Sequence, residues 1–278
     1  MSRPEHTGPP ELFYNEDEAT KYTCNSRIIE IQEKMTERAV EMLALPPDQP
    51  AFLLDVGCGS GLSGEWLTAE GHHWIGVDIS EHMLNVAKER EVEGEVCLGD
   101  AGEGMFFRPG VFDGVVSISA LQWLCNADKK DHRPAQRLHH FFTTLYSCMA
   151  RGSKAVFQFY PENPSQMELI TSQAMRAGFT GGVVVDYPHS TKAKKYYLCL
   201  FCGTPARMPS ALDGASGQGQ EGGVQYTTER ERIRKRKGDR TPLKSRDWIV
   251  RKKERSRRQG KEVRRDTKYT GRKRAPKF

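Results

Sequence analysis

A short apolar run that leads directly into an alternating-glycine turn is the feature that most constrains this chain. The run covers residues 53–56, and Gly57, Gly59 and Gly61 follow at every second position. Glycine has no Cβ, so it permits a tight turn and lets a ligand approach the backbone closely. A helix that begins after such a turn presents unpaired N–H groups and the positive end of its dipole. The pattern therefore predicts a ligand-binding turn at the edge of a parallel sheet.

Acidic residues at two further predicted strand ends narrow the class of ligand. Asp78 ends the apolar run 75–78, and Asp100 follows the run 95–98 within Gly99-Asp100-Ala101. An acid at the tip of the second strand can accept hydrogen bonds from a ribose diol. Two cofactor classes compete for this arrangement, namely S-adenosylmethionine and the dinucleotides, whose fingerprint is G-x-G-x-x-G. An isolated motif of this length could also be an ordinary glycine-rich turn without a ligand. The acidic residues at the two further strand ends argue against that interpretation.

The spacing G-x-G-x-G with Asp55 two residues ahead resembles the first motif of the class I S-adenosylmethionine-dependent methyltransferases. S-adenosylmethionine lacks phosphate and carries an amino group, so an acid suits it where a dinucleotide would be repelled. The resemblance places the glycines at the methionine end, Asp78 at the ribose and Asp100 at the adenine. It favours a methyltransferase over a dehydrogenase. The predicted cofactor-binding residues are Asp55, Gly57, Gly59, Gly61, Asp78, Ile79, Asp100, Ala101 and Ser117.

Apolar strands and amphipathic helices alternate along the chain as far as residue 201. Such alternation predicts an α/β fold with helices on both faces of the sheet. The expected architecture is the Rossmann-like class I methyltransferase fold, with a seven-stranded, mostly parallel sheet and an antiparallel final strand pair. Predicted strands are 52–56, 73–77, 95–98, 114–118, 154–160, 182–186 and 196–201, and predicted helices are 15–45, 61–69, 82–91, 135–149 and 164–177.

The helical region 15–45 has a candidate cap in Asn15, which three acidic residues follow. Both features suit a helix N-terminus. Because N-terminal helices often cover the cofactor in this fold, Tyr14, Tyr22 and Arg27 are candidate contacts. Packing is the simpler explanation for each of them taken singly.

Charge divides the chain into an acidic body and a basic tail. Residues 229–278 hold 23 of the 42 basic and 7 of the 36 acidic residues, a net of +16, which leaves residues 1–228 with a net of −10. A basic tail predicts a polyanionic partner, and its Lys/Arg clusters also suit nuclear import. Trp248 and Tyr269 are candidates for stacking on bases, and residues 248–259 for a short helix. The expected regions are an N-terminal arm with capping helices (1–48), a methyltransferase domain (49–204), a flexible linker (205–228) and a basic, largely disordered tail (229–278).

Composition argues against a membrane protein, a secreted protein and a metal site. The sequence has no run of eighteen apolar residues and no apolar signal core at its N-terminus. Its seven scattered cysteines suit reduced thiols in the cytosol or nucleus. Cys199 and Cys202 have the C-x-x-C spacing, but they lie in or beside an apolar run without a second pair. We interpret them as buried strand thiols.

The predicted acceptor side, after the fourth strand, lacks the Asn/Asp-Pro-Pro-Tyr motif of amine methylation, and no Pro-Cys pair indicates cytosine C5 chemistry. Guanine N7 already carries an in-plane lone pair, so positioning can suffice without a general base. A planar base requires an aromatic face and hydrogen bonds to its edge. No residue is assigned a catalytic role, and the candidate substrate-positioning residues are Gln122, Trp123, Tyr160, Glu162 and Asn163.

Segments along nearly the whole chain together resemble one family. They are 9–14, 53–64, 117–125, 160–163, 178–188 and the ending 269–274. They are similar to the eukaryotic 18S rRNA (guanine-N7)-methyltransferases, the Williams–Beuren syndrome chromosome region methyltransferase family.

That resemblance implies methylation of a guanine N7 in 18S rRNA and assistance in small-subunit biogenesis on the pre-40S particle. It further implies a heterodimer with a small zinc-binding methyltransferase activator, which docks on a sheet edge, and a nuclear location (nucleoplasm and nucleolus) with some cytoplasmic presence. Two alternatives stay open. One is a pre-40S assembly factor whose catalysis is secondary, and the other is a class I methyltransferase acting on another RNA or on protein.

Overall fold

The computed structural model describes residues 3–46, 49–190, 193–203 and 206–212, together with residues 246, 249, 250, 253, 257, 263–267 and 270. The chain divides into two compact units, residues 1–217 and 218–278. All the strands and helices labelled below lie in the first unit.

Seven strands form one sheet in the order β3-β2-β1-β4-β5-β7-β6. β7 runs antiparallel to both β5 and β6, and the other neighbouring strands are parallel. The predicted seven-stranded, mostly parallel sheet is therefore confirmed. The strands are β1 (Phe52–Val56), β2 (His73–Asp78), β3 (Glu95–Leu98), β4 (Phe112–Ile118), β5 (Met149–Phe159), β6 (Thr180–Asp186) and β7 (Lys195–Phe201).

Helices cover both faces of the sheet. Alternate side chains of a strand point to opposite faces, and the apolar strand residues divide accordingly into two buried clusters. One cluster packs against α6 and α7, the other against α3, α4 and α5. The helices are α1 (Pro10–Phe13), α2 (Glu16–Cys24), α3 (Ser26–Leu43), α4 (Leu62–Ala69), α5 (Glu81–Glu89), α6 (Pro134–Cys148) and α7 (Pro164–Arg176).

The helical region predicted as 15–45 forms two helices. The Asn15 side chain accepts a hydrogen bond from the Glu18 N–H and caps α2, as predicted. Asn25 interrupts the helix and caps α3 by accepting from the next turn's N–H groups. Asparagine competes for backbone hydrogen bonds in this way, so a second cap divides a continuous apolar pattern. The α3 helix ends at Leu43, before the prolines, with Ala44 in the left-handed conformation at φ 49°.

The described start of the predicted linker is held against the end of β6. The Leu212 N–H donates to an Asp186 carboxylate oxygen at 2.8 Å, and the Leu212 carbonyl accepts from the Tyr187 N–H at 2.6 Å. Arg38 of α3 forms an ion pair with Asp186 and donates to the Ser210 carbonyl at 2.7 Å. The rest of the linker lies outside the described residues.

In the second unit, the described residues Arg246, Ile249, Val250, Lys253 and Arg257 are helical, in keeping with the short helix predicted there. Trp248 and Tyr269 lie outside the described residues. Across the described parts of both units, no helix has the length and apolar character that crossing a membrane requires.

Candidate cofactor and acceptor site

The turn after β1 has a backbone conformation that favours glycine. Gly57, Gly59 and Gly61 all have positive φ, at 73°, 53° and 77°. A Cβ on Gly57 would come within 2.2 Å of the Ala120 Cβ, and one on Gly59 within 2.8 Å of the Met83 methyl carbon. The Ala120 Cβ is fixed to its backbone, whereas the Met83 methyl carbon ends a flexible side chain. Space therefore requires glycine at position 57, and backbone conformation favours it at all three positions.

Asp55, at the end of β1, offers an unsatisfied acceptor. Its carboxyl group is completely buried, and one oxygen accepts from the Ser63 hydroxyl. The other, Oδ1, has no hydrogen-bond partner among the described residues. Burial raises the Asp55 pKa to about 7, the Ser63 hydrogen bond opposes that rise, and the charge of Asp78 adds to it. A buried acceptor without a partner costs free energy, so this oxygen suits a ligand that brings a donor, such as an ammonium group.

Asp78, at the end of β2, links the first turn to the next one. Its Oδ2 accepts from the Gly59 N–H and its Oδ1 from the Ser80 N–H, both at 2.8 Å. Burial raises the Asp78 pKa, while these backbone hydrogen bonds lower it. A carboxylate oxygen can accept two hydrogen bonds, so each oxygen keeps capacity for a ribose hydroxyl.

Asp100, after β3, is engaged by a residue that the sequence analysis missed. Its Oδ1 accepts from the Gly102 N–H at 2.8 Å and from Arg137 Nη2 at 2.6 Å, and its Oδ2 accepts from the same Nη2 at 2.7 Å. Arg137 lies in α6 and is only 8% exposed. The one feature of the sequence that could have indicated Arg137 is the position of a charged residue beside Leu138, on the buried face of an amphipathic helix.

Two of these carboxylates, Asp78 and Asp100, line a cavity at the carboxyl ends of β1, β2 and β4. It encloses about 1120 Å³, counting the open solvent at its mouth. Parallel α/β sheets bind ligands at this edge. Of the predicted cofactor-binding and substrate-positioning residues, those that line it are Gly57, Gly59, Asp78, Ile79, Asp100, Ala101, Ser117 and Trp123. Asp55 and Gly61 lie behind the lining.

The Ser117 hydroxyl, at the end of β4, is buried and has no hydrogen-bond partner among the described residues. Like Asp55 Oδ1, it is a polar atom left for a ligand to satisfy. The glycine cradle and these two atoms fit S-adenosylmethionine, which carries donor and acceptor groups along its length.

The N-terminal helices cover the cavity. Tyr14 and Tyr22 line it, whereas Arg27 is exposed and does not. The Tyr14 carbonyl accepts from the Ser80 hydroxyl at 3.0 Å, and the Tyr14 ring lies 6.1 Å from the Trp123 ring. Desolvation raises the pKa of both tyrosines well above the usual range, so the phenols stay neutral.

Four of the five candidate acceptor residues lie outside the cavity lining, and only Trp123 reaches it. Gln122 is buried, and its amide connects the Ser119 carbonyl at 2.8 Å with the Tyr160 N–H at 3.4 Å. The Tyr160 hydroxyl accepts from Lys195 Nζ at 2.6 Å.

The other two candidates are held by neighbours at the same rim. Glu162 lies 3.4 Å from His6 Nε2, and Asn163 caps α7 by accepting from the Gln166 N–H at 2.8 Å. The N-terminal arm also reaches this rim, because Arg3 donates to the carbonyls of residues 160 and 161, both at 3.0 Å. The side chains of Glu162 and Asn163 therefore contact neighbouring protein groups at the rim, His6 and the first turn of α7.

Cys199 and Cys202 are buried in and just after β7, which confirms the interpretation as buried thiols. Burial raises the Cys199 pKa to about 12, so this thiol is protonated at neutral pH. Within the described ranges, no group of three His, Cys, Asp or Glu side chains is arranged to hold a metal ion.

Solved structures share the fold at low sequence identity. A TehB-like SAM-dependent methyltransferase from Corynebacterium glutamicum aligns with a TM-score of 0.51 and 18% identity, over 68% of this chain and 100% of that one. Haemonchus contortus phosphoethanolamine N-methyltransferase 2, solved with S-adenosyl-L-methionine, aligns with a TM-score of 0.51 and 18% identity, over 69% and 58%. At such identity the likeness establishes the fold alone.

Two family descriptions and several full-length relatives match the sequence. Residues 54–156 match "Methyltransferase domain", and residues 200–276 match "Methyltransferase involved in Williams-Beuren syndrome". The 18S rRNA (guanine-N(7))-methyltransferase of Mus musculus is 59% identical over 99% of this chain and 98% of its own length. That of Arabidopsis thaliana is 55% identical over 100% and 99%, and the 18S rRNA (guanine(1575)-N(7))-methyltransferase of Saccharomyces cerevisiae is 49% identical over 100% of both. The cofactor is S-adenosylmethionine, and the chain belongs to the 18S rRNA (guanine-N(7))-methyltransferase family.

Proposed function

We propose that this chain transfers the methyl group of S-adenosylmethionine to N7 of a guanine in 18S rRNA. The observation that carries the proposal is the match to relatives of that name over the full length of the chain, tail included. The cavity supports it independently, because its glycine turn and buried carboxylates suit the cofactor of such a reaction.

The residues of the chain bind and align rather than move protons. S-adenosylmethionine, when bound, supplies a methyl group on a positively charged sulfur. Asp55 Oδ1 would accept from the cofactor amino group, Asp78 would hold the ribose and Asp100 would hold the adenine. Guanine N7 attacks with its own lone pair and has no proton to lose, so the reaction requires alignment and exclusion of water. The neutral tyrosines of the N-terminal helices, Tyr14 and Tyr22, suit the second requirement.

We propose that Trp123 is the aromatic face against which the acceptor guanine lies. It is the candidate whose ring borders the cavity, and base stacking on aromatic side chains is typical of RNA recognition. Gln122, Tyr160, Glu162 and Asn163 position the substrate by holding the rim in place. Their contacts with Ser119, Lys195, His6 and Gln166 support this role.

We also propose a heterodimer with a small zinc-binding methyltransferase activator, docked on the β3 edge of the sheet. β3 is an edge strand, and Leu98 is 62% exposed there, with Phe106 close in sequence at 83%. An uncovered edge with apolar neighbours suits addition of a strand from a partner. The opposite edge, β6, already has residues 210–212 against its end.

Exchange of Leu98 for Asp tests this interface. The variant should lose co-purification with the activator, while Leu12→Asp, at a position that is 70% exposed on α1, should keep it. Retention of the activator by Leu98→Asp would reject the β3 edge as its docking site.

We propose that the chain works in the nucleus, in nucleoplasm and nucleolus, with some cytoplasmic presence. Regions 1–48, 49–204, 205–228 and 229–278 would serve as cap, catalytic domain, linker and RNA-binding and import tail. The tail's net charge of +16 supports this division. Deletion of 229–278 should weaken RNA binding and flatten its salt dependence, because fewer counterions are released. An unchanged salt slope would contradict this role.

The direct test is methyl transfer in vitro. The full chain with its activator is incubated with 18S rRNA and S-adenosylmethionine labelled in the methyl group, and the digested RNA is analysed for N7-methylguanosine. We expect the label in that nucleoside alone. Label in another nucleoside or in protein would favour a different methyltransferase, and particle binding without any label would favour an assembly factor.

A further inference from the structure

The buried guanidinium of Arg137 has no role in the assignments above. Arg137 projects from α6 to the end of the cavity where Asp100 lies, and it lines the cavity itself. Its Nη2 donates to both Asp100 oxygens, and its Nη1 lies 3.0 Å from His132 Nδ1. The Nε atom is buried and has no hydrogen-bond partner among the described residues.

A glycine lets this guanidinium approach the backbone. A Cβ on Gly102 would lie 2.3 Å from both Nε and Nη2 of Arg137, so any other residue would push the guanidinium away. The Gly102 N–H in turn donates to Asp100, which caps the short 3-10 turn of residues 101–103. Arg137 and this turn therefore hold the Asp100 carboxylate from two sides.

Hydrogen-bond capacity distinguishes the two carboxylate oxygens. Oδ1 accepts two hydrogen bonds, from Gly102 and Arg137, which is its capacity. Oδ2 accepts one, from Arg137. One lone pair of Oδ2 therefore stays open to a further donor, and a clamped carboxylate cannot rotate to offer a different atom.

We propose that Arg137 is a positioning residue that fixes Asp100 so that Oδ2 accepts from the exocyclic amino group of adenine. The pair thereby selects adenine over hypoxanthine, whose O6 would bring a second acceptor against Oδ2. Hypoxanthine would leave the buried Oδ2 without a hydrogen-bond donor, and this loss lowers its affinity relative to adenine. The inference rests on the proposed function, because it assumes S-adenosylmethionine as the cofactor. It adds how the site recognises the adenine base.

Calorimetric binding of S-adenosylhomocysteine and of S-inosylhomocysteine to the full-length chain tests the proposal. The unmodified chain should prefer the adenosine compound by about 100-fold, the upper range expected when a buried polar group loses its hydrogen-bond partner. Arg137→Met should reduce that preference to within about threefold. Arg137→Lys keeps a cationic donor but lacks the second nitrogen that contacts His132, so it should give an intermediate ratio. Asp100→Asn should remove the preference, because an amide can also donate to O6.

Arg38→Met is the matched control, since Arg38 is also a mostly buried arginine paired with a carboxylate, Asp186, away from the cavity lining. It should lower thermal stability and leave the preference unchanged. If Arg137→Met does not fold, the Lys variant decides by the same ratio. A ratio unchanged in the Arg137 and Asp100 variants overturns the inference and leaves the proposed function intact. Failure of the unmodified chain to bind either compound overturns both.

Discussion

The cofactor side and the acceptor side of the cavity are built in different ways. On the cofactor side, Gly57, Asp78 and Asp100 lie where strands end, and their side chains or backbone face the cavity. On the acceptor side, Tyr160 and Asn163 also follow a strand, yet their side chains are occupied by Lys195 and by a helix cap. A position at a strand end thus brings a residue to the right edge of the sheet. What its side chain does there depends on the elements packed over it.

The largest expected loss of activity comes from a substitution on the cofactor side. Gly57→Ala places a Cβ 2.2 Å from Ala120 at φ 73°. We expect methyl transfer to fall by about 100-fold or more, as displacements of about 1 Å do in active sites, with loss of S-adenosylmethionine binding in calorimetry. Gly71→Ala is the control, because φ there is 89° with nothing within 4 Å of the new Cβ. It should cost only backbone strain, about 1–2 kcal/mol. Equal binding by both variants would mean that the turn does not shape the site.

On the acceptor side, Trp123→Ala should impair the use of RNA much more than the binding of the cofactor. Removing a stacking platform costs about 1–3 kcal/mol per base, so kcat/KM for RNA should fall by about 10-fold or more. Binding of S-adenosylhomocysteine should change much less, and Trp123→Phe should restore part of the RNA activity. Steady-state kinetics with varied RNA and calorimetry with the cofactor product measure the two effects. A larger loss in cofactor binding than in RNA kinetics would assign Trp123 to the cofactor side instead.

Asp55 gives the cofactor side a pH dependence. Its pKa in the fold, about 7, exceeds the ordinary value of 3.8, so the folded chain retains a proton that the unfolded chain has lost. This carboxyl group should therefore make the free energy of unfolding decrease from about pH 4 to about pH 7 and then level off. An ammonium ligand favours the ionised carboxylate, so cofactor affinity should rise as the pH approaches 7.

Asp55→Asn should remove the contribution of this position to the pH dependence of both the free energy of unfolding and the cofactor affinity. The amide oxygen still accepts from the Ser63 hydroxyl. Calorimetry at several pH values and denaturant titrations measure the two pH dependences. A cofactor affinity that rises with pH equally in the Asn variant would show that the ligand's amino group does not meet Asp55.

The smallest effect concerns the rim. Asn163→Ala removes the cap of α7 and should lower the free energy of unfolding by about 1 kcal/mol, whereas Asn163→Ser should retain most of it. Denaturant unfolding measures the difference. Methyl transfer should fall modestly in the Ala variant, which loosens the rim, and should stay near the unmodified level in the Ser variant, which keeps the cap. Strong loss of activity in the Ser variant would indicate direct contact between Asn163 and the acceptor.

These contrasts explain what could be predicted from the sequence. The strand positions and the glycine turn follow from local periodicity and from backbone geometry, which neighbouring residues determine. Arg137 could not be assigned, because its contact with Asp100 spans 37 positions and depends on how α6 packs. The division of 15–45 at Asn25 was missed because the apolar spacing continues through it, and only the cap reveals the break.

The central claim is that the cavity with the glycine turn methylates guanine N7 in 18S rRNA. Its most direct test is borohydride and aniline cleavage of 18S rRNA from cells whose own copy is replaced by the unmodified chain, by Gly57→Ala or by Gly71→Ala. We predict strand cleavage at one guanine with the unmodified chain and with Gly71→Ala, and none with Gly57→Ala. Cleavage that persists with Gly57→Ala at normal intensity would contradict the account.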